Sequence, residues 1–94
     1  MPATVEIGEL IERRPEIRGG KPILAGTGVS VHRIVGWYRL GLSPEEIAEN
    51  FGHISLAQVH AALAYYHANR EEIDGYLEAE DAEATALDDA AQLG

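Results

Sequence analysis

Residues 19–28, GGKPILAGTG, hold four glycines and one proline in ten positions. No helix is expected to cross such a stretch, and a strand inside it has room for only the few residues between breakers. The chain is thereby divided into short extended pieces before residue 30 and longer regular elements after it. Ile17, Ile23 and Leu24 flank the glycines as in a small β-hairpin or paired extended segments. Gly26-Thr27-Gly28 ahead of a helix also raises a phosphate-cradling loop. A dinucleotide site needs G-x-G-x-x-G inside a βαβ unit with an acid some way beyond it, and a P-loop needs Gly-Lys-Ser/Thr at the helix start. The third glycine is missing, and Lys21 precedes the loop. A structural hairpin with tight turns is expected, Pro22 fixing one strand edge.

Helix signals then follow in order. Ser30 caps a first helix through HRIVGWYRL, with Val31, Ile34, Val35 and Tyr38 at the helical period and Gly41 suited to end it. Gly36 inside that helix is unfavourable and suggests close packing. Ser43, Pro44 and Glu46 form an N-cap, a first-position proline and a capping box for a second helix, whose apolar face is Ile47, Ala48 and Phe51. Ser55 and Gln58 repeat the box for a third, in which Leu56, Val59, Leu63 and Tyr66 form a buried stripe. Asn69 with Glu72 reads as another box, opening a fourth helix that carries Ile73, Tyr76 and Leu77. Tyr65, turned about 100° from Tyr66, is assigned to a second packing surface. Beyond Leu77 the large apolar residues are Leu87 and Leu93, too few to offset ordering entropy, so fraying or disorder is expected in the free chain. The expected architecture is mainly α: a three-helix, helix-turn-helix-like core (homeodomain-like or winged-helix-like), a short N-terminal β-hairpin and a fourth C-terminal helix. The division is 1–70 for hairpin and core, and 71–94 for an acidic helix and tail.

Charge is distributed unevenly along this organisation. The net charge is −9, yet residues 1–70 are neutral, with seven bases and seven acids; residues 71–94 hold nine acids and no base. Residues 13–39 hold six bases against Glu16 alone, a local +5. Such blocks suggest two surfaces for two partners. A core of this size without cysteine cannot be stapled by disulfides, and self-association is the usual remedy. No cationic segment followed by an apolar one opens the chain, and no apolar run approaches a membrane span, so a cytoplasmic location is expected.

Ala48, Gly52 and Val59 supply the residue types of a helix-turn-helix pair. The third helix has no Lys or Arg before Arg70, however, so phosphate contacts would fall to Arg13, Arg14, Arg18, Lys21, Arg33 and Arg39, with Gln58 near base edges. His53, His60 and His67 recur every seven residues; on a helix that is about 10.5 Å between neighbours, too far for one ion, and no metal or other cofactor is expected. The acids cluster in caps and a tail, poor places for catalytic geometry, so no catalytic residue is assigned and the chain is expected not to be an enzyme.

The runs PEIRGGKPILAGTGVSVHRIV and GLSPEEIAENFGHISLAQVHAALAYYHANREEID strongly resemble the uncharacterised bacterial family numbered 433 among the domains of unknown function, over about residues 7–77. The distinctive parts are GGKP at 19–22, AGT at 25–27, VSV before the first helix, GLSPEEIA at 41–48 and ALAYY at 62–66. The resemblance implies a compact helix-turn-helix-like domain of the VapB antitoxin kind, encoded beside a PIN-like ribonuclease toxin. One departure is visible: the family usually has Arg after the Gly-Thr, where this chain has Gly28.

The expected function is thus an antitoxin of a type II toxin–antitoxin pair. It would bind and neutralise a PIN-like ribonuclease toxin and, as a homodimer, contact promoter DNA. Ile73, Tyr76, Leu77 and Leu87 are the expected toxin anchors, steered by the surrounding carboxylates. The alternative is a protein-interaction adaptor domain with no DNA-binding role.

Overall fold

The computed structural model describes residues 4–93, and side chains from Thr4 to Asp81. Four helices follow a two-stranded antiparallel sheet: β1 (Ile11–Glu12), β2 (Ile23–Leu24), α1 (Val31–Arg39), α2 (Pro44–Phe51), α3 (Leu56–Ala68) and α4 (Arg70–Leu93). Ile11 pairs with Leu24 and Glu12 with Ile23. The hairpin therefore uses Ile11 as its first strand, whereas Ile17 lies just before the 3-10 turn Arg18–Gly20. That turn carries three consecutive left-handed residues, with φ of 52°, 63° and 82° at Arg18, Gly19 and Gly20. The two glycines adopt this conformation without strain; Arg18 does so at a steric cost.

The Gly-Thr-Gly segment is a tight reversal. Thr27 N donates to Leu24 O at 3.0 Å, Leu24 N to Val29 O at 2.9 Å, and the Thr27 hydroxyl to Leu24 O at 2.8 Å. Val31 N then reaches back to Pro22 O at 2.9 Å, tying the start of α1 to the strand.

Two of the three expected capping boxes form: Ser43 with Glu46 at α2 and Ser55 with Gln58 at α3. Each such cap contributes about 1 kcal/mol. Gly52 ends α2 at φ 75°, a left-handed conformation that a side chain would resist. The core is built from Leu24, Val29, Val31, Ile34, Val35, Ile47, Ile54, Val59, Ala62, Leu63, Tyr66 and Ile73, with Phe51 and Trp37 packed at its edge.

Two expected core positions lie outside it. Tyr38 is 42% exposed and Leu56 41% exposed. Leu56 is the first residue of α3 and overhangs the turn, and the face of α1 carrying Tyr38 turns to solvent. His32 is buried instead, at 5% exposure, because α4 packs over its side of α1.

At the α3–α4 junction Asn69 forms no capping box. Its side chain donates to Tyr65 O at 3.1 Å, and Glu72 is committed to tyrosine and arginine partners. The backbone of α4 is helical for 24 residues, continuing past Leu77, where the sparse apolar content predicts fraying. Ala and Glu, nine of the sixteen residues from 78 to 93, are strong helix formers and favour the continuity. Principal extents of 62 × 28 × 22 Å suit a small globular unit bearing a long terminal helix.

A Cβ added at Gly36 would sit 3.7 Å from Leu77 Cδ2, an ordinary contact. Gly36→Ala is therefore expected to stabilise the domain by up to about 1 kcal/mol through helix propensity. The urea midpoint reads this, and a lowered midpoint would mean that the α1–α4 contact tolerates no methyl group.

Candidate functional site

The bases of residues 13–39 serve two different purposes. Arg13 and Arg39 clamp α4 to the core. Arg13 donates to Glu72 Oε2 at 2.6 Å, to the Tyr65 hydroxyl and to Gly20 O at 3.2 Å. Arg39 donates to Tyr66 Oη at 2.7 Å and pairs with Asp74 Oδ1. Arg14 pairs with Glu12 at 2.9 Å, and the same Glu12 oxygen accepts from Gly26 N at 3.2 Å, holding the hairpin turn. Pairs this open to solvent add little stability; those of Arg13 and Arg39 chiefly fix where α4 lies.

Glu72 is the hub. Burial pushes its carboxyl up, but donors from Tyr65, Arg13 and Tyr76 outweigh that and leave it below the usual glutamate range. The Glu72 hydrogen bond in turn holds the Arg13 guanidinium above its ordinary range. A carboxyl lowered on folding stabilises the fold above its unfolded pKa, and that contribution disappears as pH falls through the folded value. Thermal melts below pH 4.5, the ordinary glutamate value, are thus expected to show a destabilisation that Glu72→Gln lacks. Parallel pH profiles for the two chains would remove Glu72 as its source.

Arg18, Lys21 and Arg33 form a second group. With Ser30, His32 and Glu80 they line a cleft of about 220 Å³ at the N-terminus of α1. Arg18 Nε donates to Gly28 O at 3.1 Å. Lys21 Nζ lies 5.0 Å from the Tyr76 ring centroid, and the Arg33 guanidinium 5.6 Å from that of Phe51. Arg18 and Arg33 also border a neighbouring depression with Gly28, Phe51 and His53, next to the α2–α3 turn. Gly28 lies outside the left-handed region and a Cβ added there would meet open space, so its backbone does not demand glycine. Six sequence-assigned bases thus reduce to three that converge.

Gln58 is occupied internally. Its Oε1 accepts from Ser55 N at 2.9 Å and its Nε2 donates to Ala25 O at 3.1 Å. The solvent side of α3 shows Ala57, His60, Ala64 and His67, with no Lys or Arg.

The expected anchors on α4 divide similarly. Ile73 is 0% exposed and belongs to the core, so it offers no surface to a partner in this fold. The clamps at Glu72 and Asp74 flank it and turn that side of the helix inward. Tyr76 is half-buried, donating to Glu72 Oε2 at 2.7 Å, with its ring centroid 5.6 Å from that of His32. Leu77 is half-buried and packs at the core's edge. The side chain of Leu87 lies outside the described residues. His32 and Glu80 are not singled out by the sequence. Their signal is weak: a lone histidine after a cap, and one glutamate among many.

A mainly helical domain with four helices and a small antiparallel N-terminal sheet is thus defined. Over residues 11–66 the chain matches the family described as "Protein of unknown function (DUF433)", and it belongs to that family. The match spans the hairpin to the last turn of α3. A crystal structure of a DUF433 member protein from Anabaena variabilis ATCC 29413, at 2.00 Å resolution, is similar, with a TM-score of 0.70 and 26% identity. The alignment covers 74% of this chain and 69% of that one. No curated protein matches the chain. Among the described residues, no helix is long and apolar enough to cross a membrane.

Proposed function

We propose that this chain is a VapB-type antitoxin: a homodimeric, helix-turn-helix-like domain that contacts promoter DNA and neutralises a PIN-like ribonuclease toxin in the cytoplasm. No catalytic step belongs to this reading. The observation that carries it is the separation of uncommitted charge. Arg18, Lys21 and Arg33 gather by the α1 N-terminus, near the turn between the boxed helices α2 and α3, while Glu71, Glu78 and Asp81 of α4 face solvent. The first set suits DNA phosphates and the second a basic protein surface. The outer side of α3, without Lys or Arg, and the internal use of Gln58 favour the adaptor alternative, in which only the protein contact exists.

Co-expression with the neighbouring toxin tests the reading. A chain ending at Leu77 keeps Ile73 in the core and removes most of the acidic helix. It is expected to stay folded by thermal melt and to fail to protect cells, whereas the full chain protects them. If the shortened chain protects equally well, the inhibitory surface lies on the core domain.

A further inference from the structure

The cleft at the start of α1 has features that neither the clamp on α4 nor the hydrophobic core requires. His32 is enclosed at 5% exposure, yet its Nε2 reaches the cleft, lying 2.7 Å from Glu80 Oε1 and 3.5 Å from Ser30 Oγ. With a carboxylate as acceptor, Nε2 is the protonated nitrogen and donates. Nδ1 is buried without a hydrogen-bond partner among the described residues, so the ring is oriented at the expense of its other nitrogen. A buried donor held this way marks a point where an anionic oxygen is received.

The current occupant lies open to solvent. Glu80 is 55% exposed at its side chain, against 6% for His32, and it arrives from the solvent side. Among the described residues three cations line the cleft against one carboxylate, an excess of two positive charges by formal count. The volume of about 220 Å³ is several times a water's share of about 30 Å³, enough for a larger tetrahedral anion. Among the described residues Arg18 gives one of its five N–H donors to Gly28 O. The N-terminus of a nine-residue helix adds its positive dipole end.

We infer that this cleft is a binding site for a phosphate group, with His32, Arg18, Lys21 and Arg33 as its ligands and Glu80 of α4 as an internal competitor. An incoming phosphate oxygen takes the place of the Glu80 carboxylate on His32 Nε2, and α4 loses that contact with α1. The site deepens the DNA reading, on which it rests only for the source of the phosphate: a backbone phosphodiester rather than a free anion.

The test is titration of the full chain with inorganic phosphate at constant ionic strength, chloride being the control, followed by amide NMR. Saturable shifts are expected at Val31, His32 and Arg33. Glu80→Gln is expected to tighten the apparent affinity at least threefold. Glu78→Gln removes the same charge outside the cleft and should change it far less. Lys21→Gln with Arg33→Gln should weaken it more than tenfold while leaving the melting temperature near that of the parent. No saturable shift, or equal effects of Glu80→Gln and Glu78→Gln, would overturn the site. A parallel titration with duplex DNA separates the sources. Phosphate binding without DNA binding keeps the site, assigns it to a free phosphate-bearing ligand and removes the DNA half of the proposed function. DNA binding that is indifferent to Glu80→Gln and to the cation pair, together with no saturable phosphate shift, rejects the site while sparing that function.

Discussion

Ile73→Ala is expected to cost the domain about 2–5 kcal/mol, against a total of about 5–15 kcal/mol for an average domain. The residue is fully enclosed with Tyr66 and the aliphatic side chains of α1 and α3, and truncation leaves a cavity where the first turn of α4 meets the bundle. Leu77→Ala, at a half-buried position on the same helix, should cost less. Urea midpoints measured for both chains check this, with retained helicity in the Leu77 variant as the control. A loss below about 1 kcal/mol for Ile73→Ala would detach α4 from the core. The same geometry governs how deletions are read. A chain cut after Asn69 loses Ile73, Glu72 and Asp74 together, so its failure to neutralise a toxin would report unfolding. The cut after Leu77 separates the two effects.

Reversal of Arg18 and Arg33 to glutamate is expected to reduce DNA affinity more than 100-fold at low salt. Each lost charge-assisted contact accounts for about 1.5 kcal/mol or more. The log–log salt slope should become shallower by about 2, at about 0.9 per phosphate. Reversal of Arg13 and Arg39 should instead lower stability, because those guanidinium groups hold Glu72 and Asp74. Fluorescence anisotropy at several salt concentrations distinguishes the pairs. Unchanged affinity and slope for the Arg18/Arg33 variant would place the DNA contacts elsewhere on the chain, and no DNA binding by the parent would leave the adaptor reading in place.

The helical part of this architecture was legible because its signals are local. Ser43-Pro44-Glu46 and Ser55-Gln58 satisfy orphan amides within one turn, so sequence spacing alone places both helix starts. The hairpin was legible only in kind. Its first strand, at Ile11, is separated from Leu24 by a turn whose left-handed Arg18 no composition rule marks. Charge density exposed the basic segment but not its division, since whether Arg13 meets Glu72 or solvent depends on a contact 59 residues away. His32 escaped for the same reason: its burial depends on α4, whose docking rests on Ile73 and on ion pairs across the fold. The sequence marks Ile73 as an apolar anchor, but the core covers it rather than a partner, because periodicity says that a face will be covered and not by what.

The gap between Gly36 and Leu77 also bears on how this lineage can change. A methyl group fits there, and a single-base change turns a glycine codon into an alanine codon, so extra stability lies one step away. The domain therefore retains unused headroom. A descendant that acquired Gly36→Ala could accept a costly substitution along the Arg18–Arg33 cleft or on the outer side of α3 and remain folded. Altered recognition would then follow a silent gain in robustness, with the permissive change placed on the α1–α4 interface about one turn from Arg33.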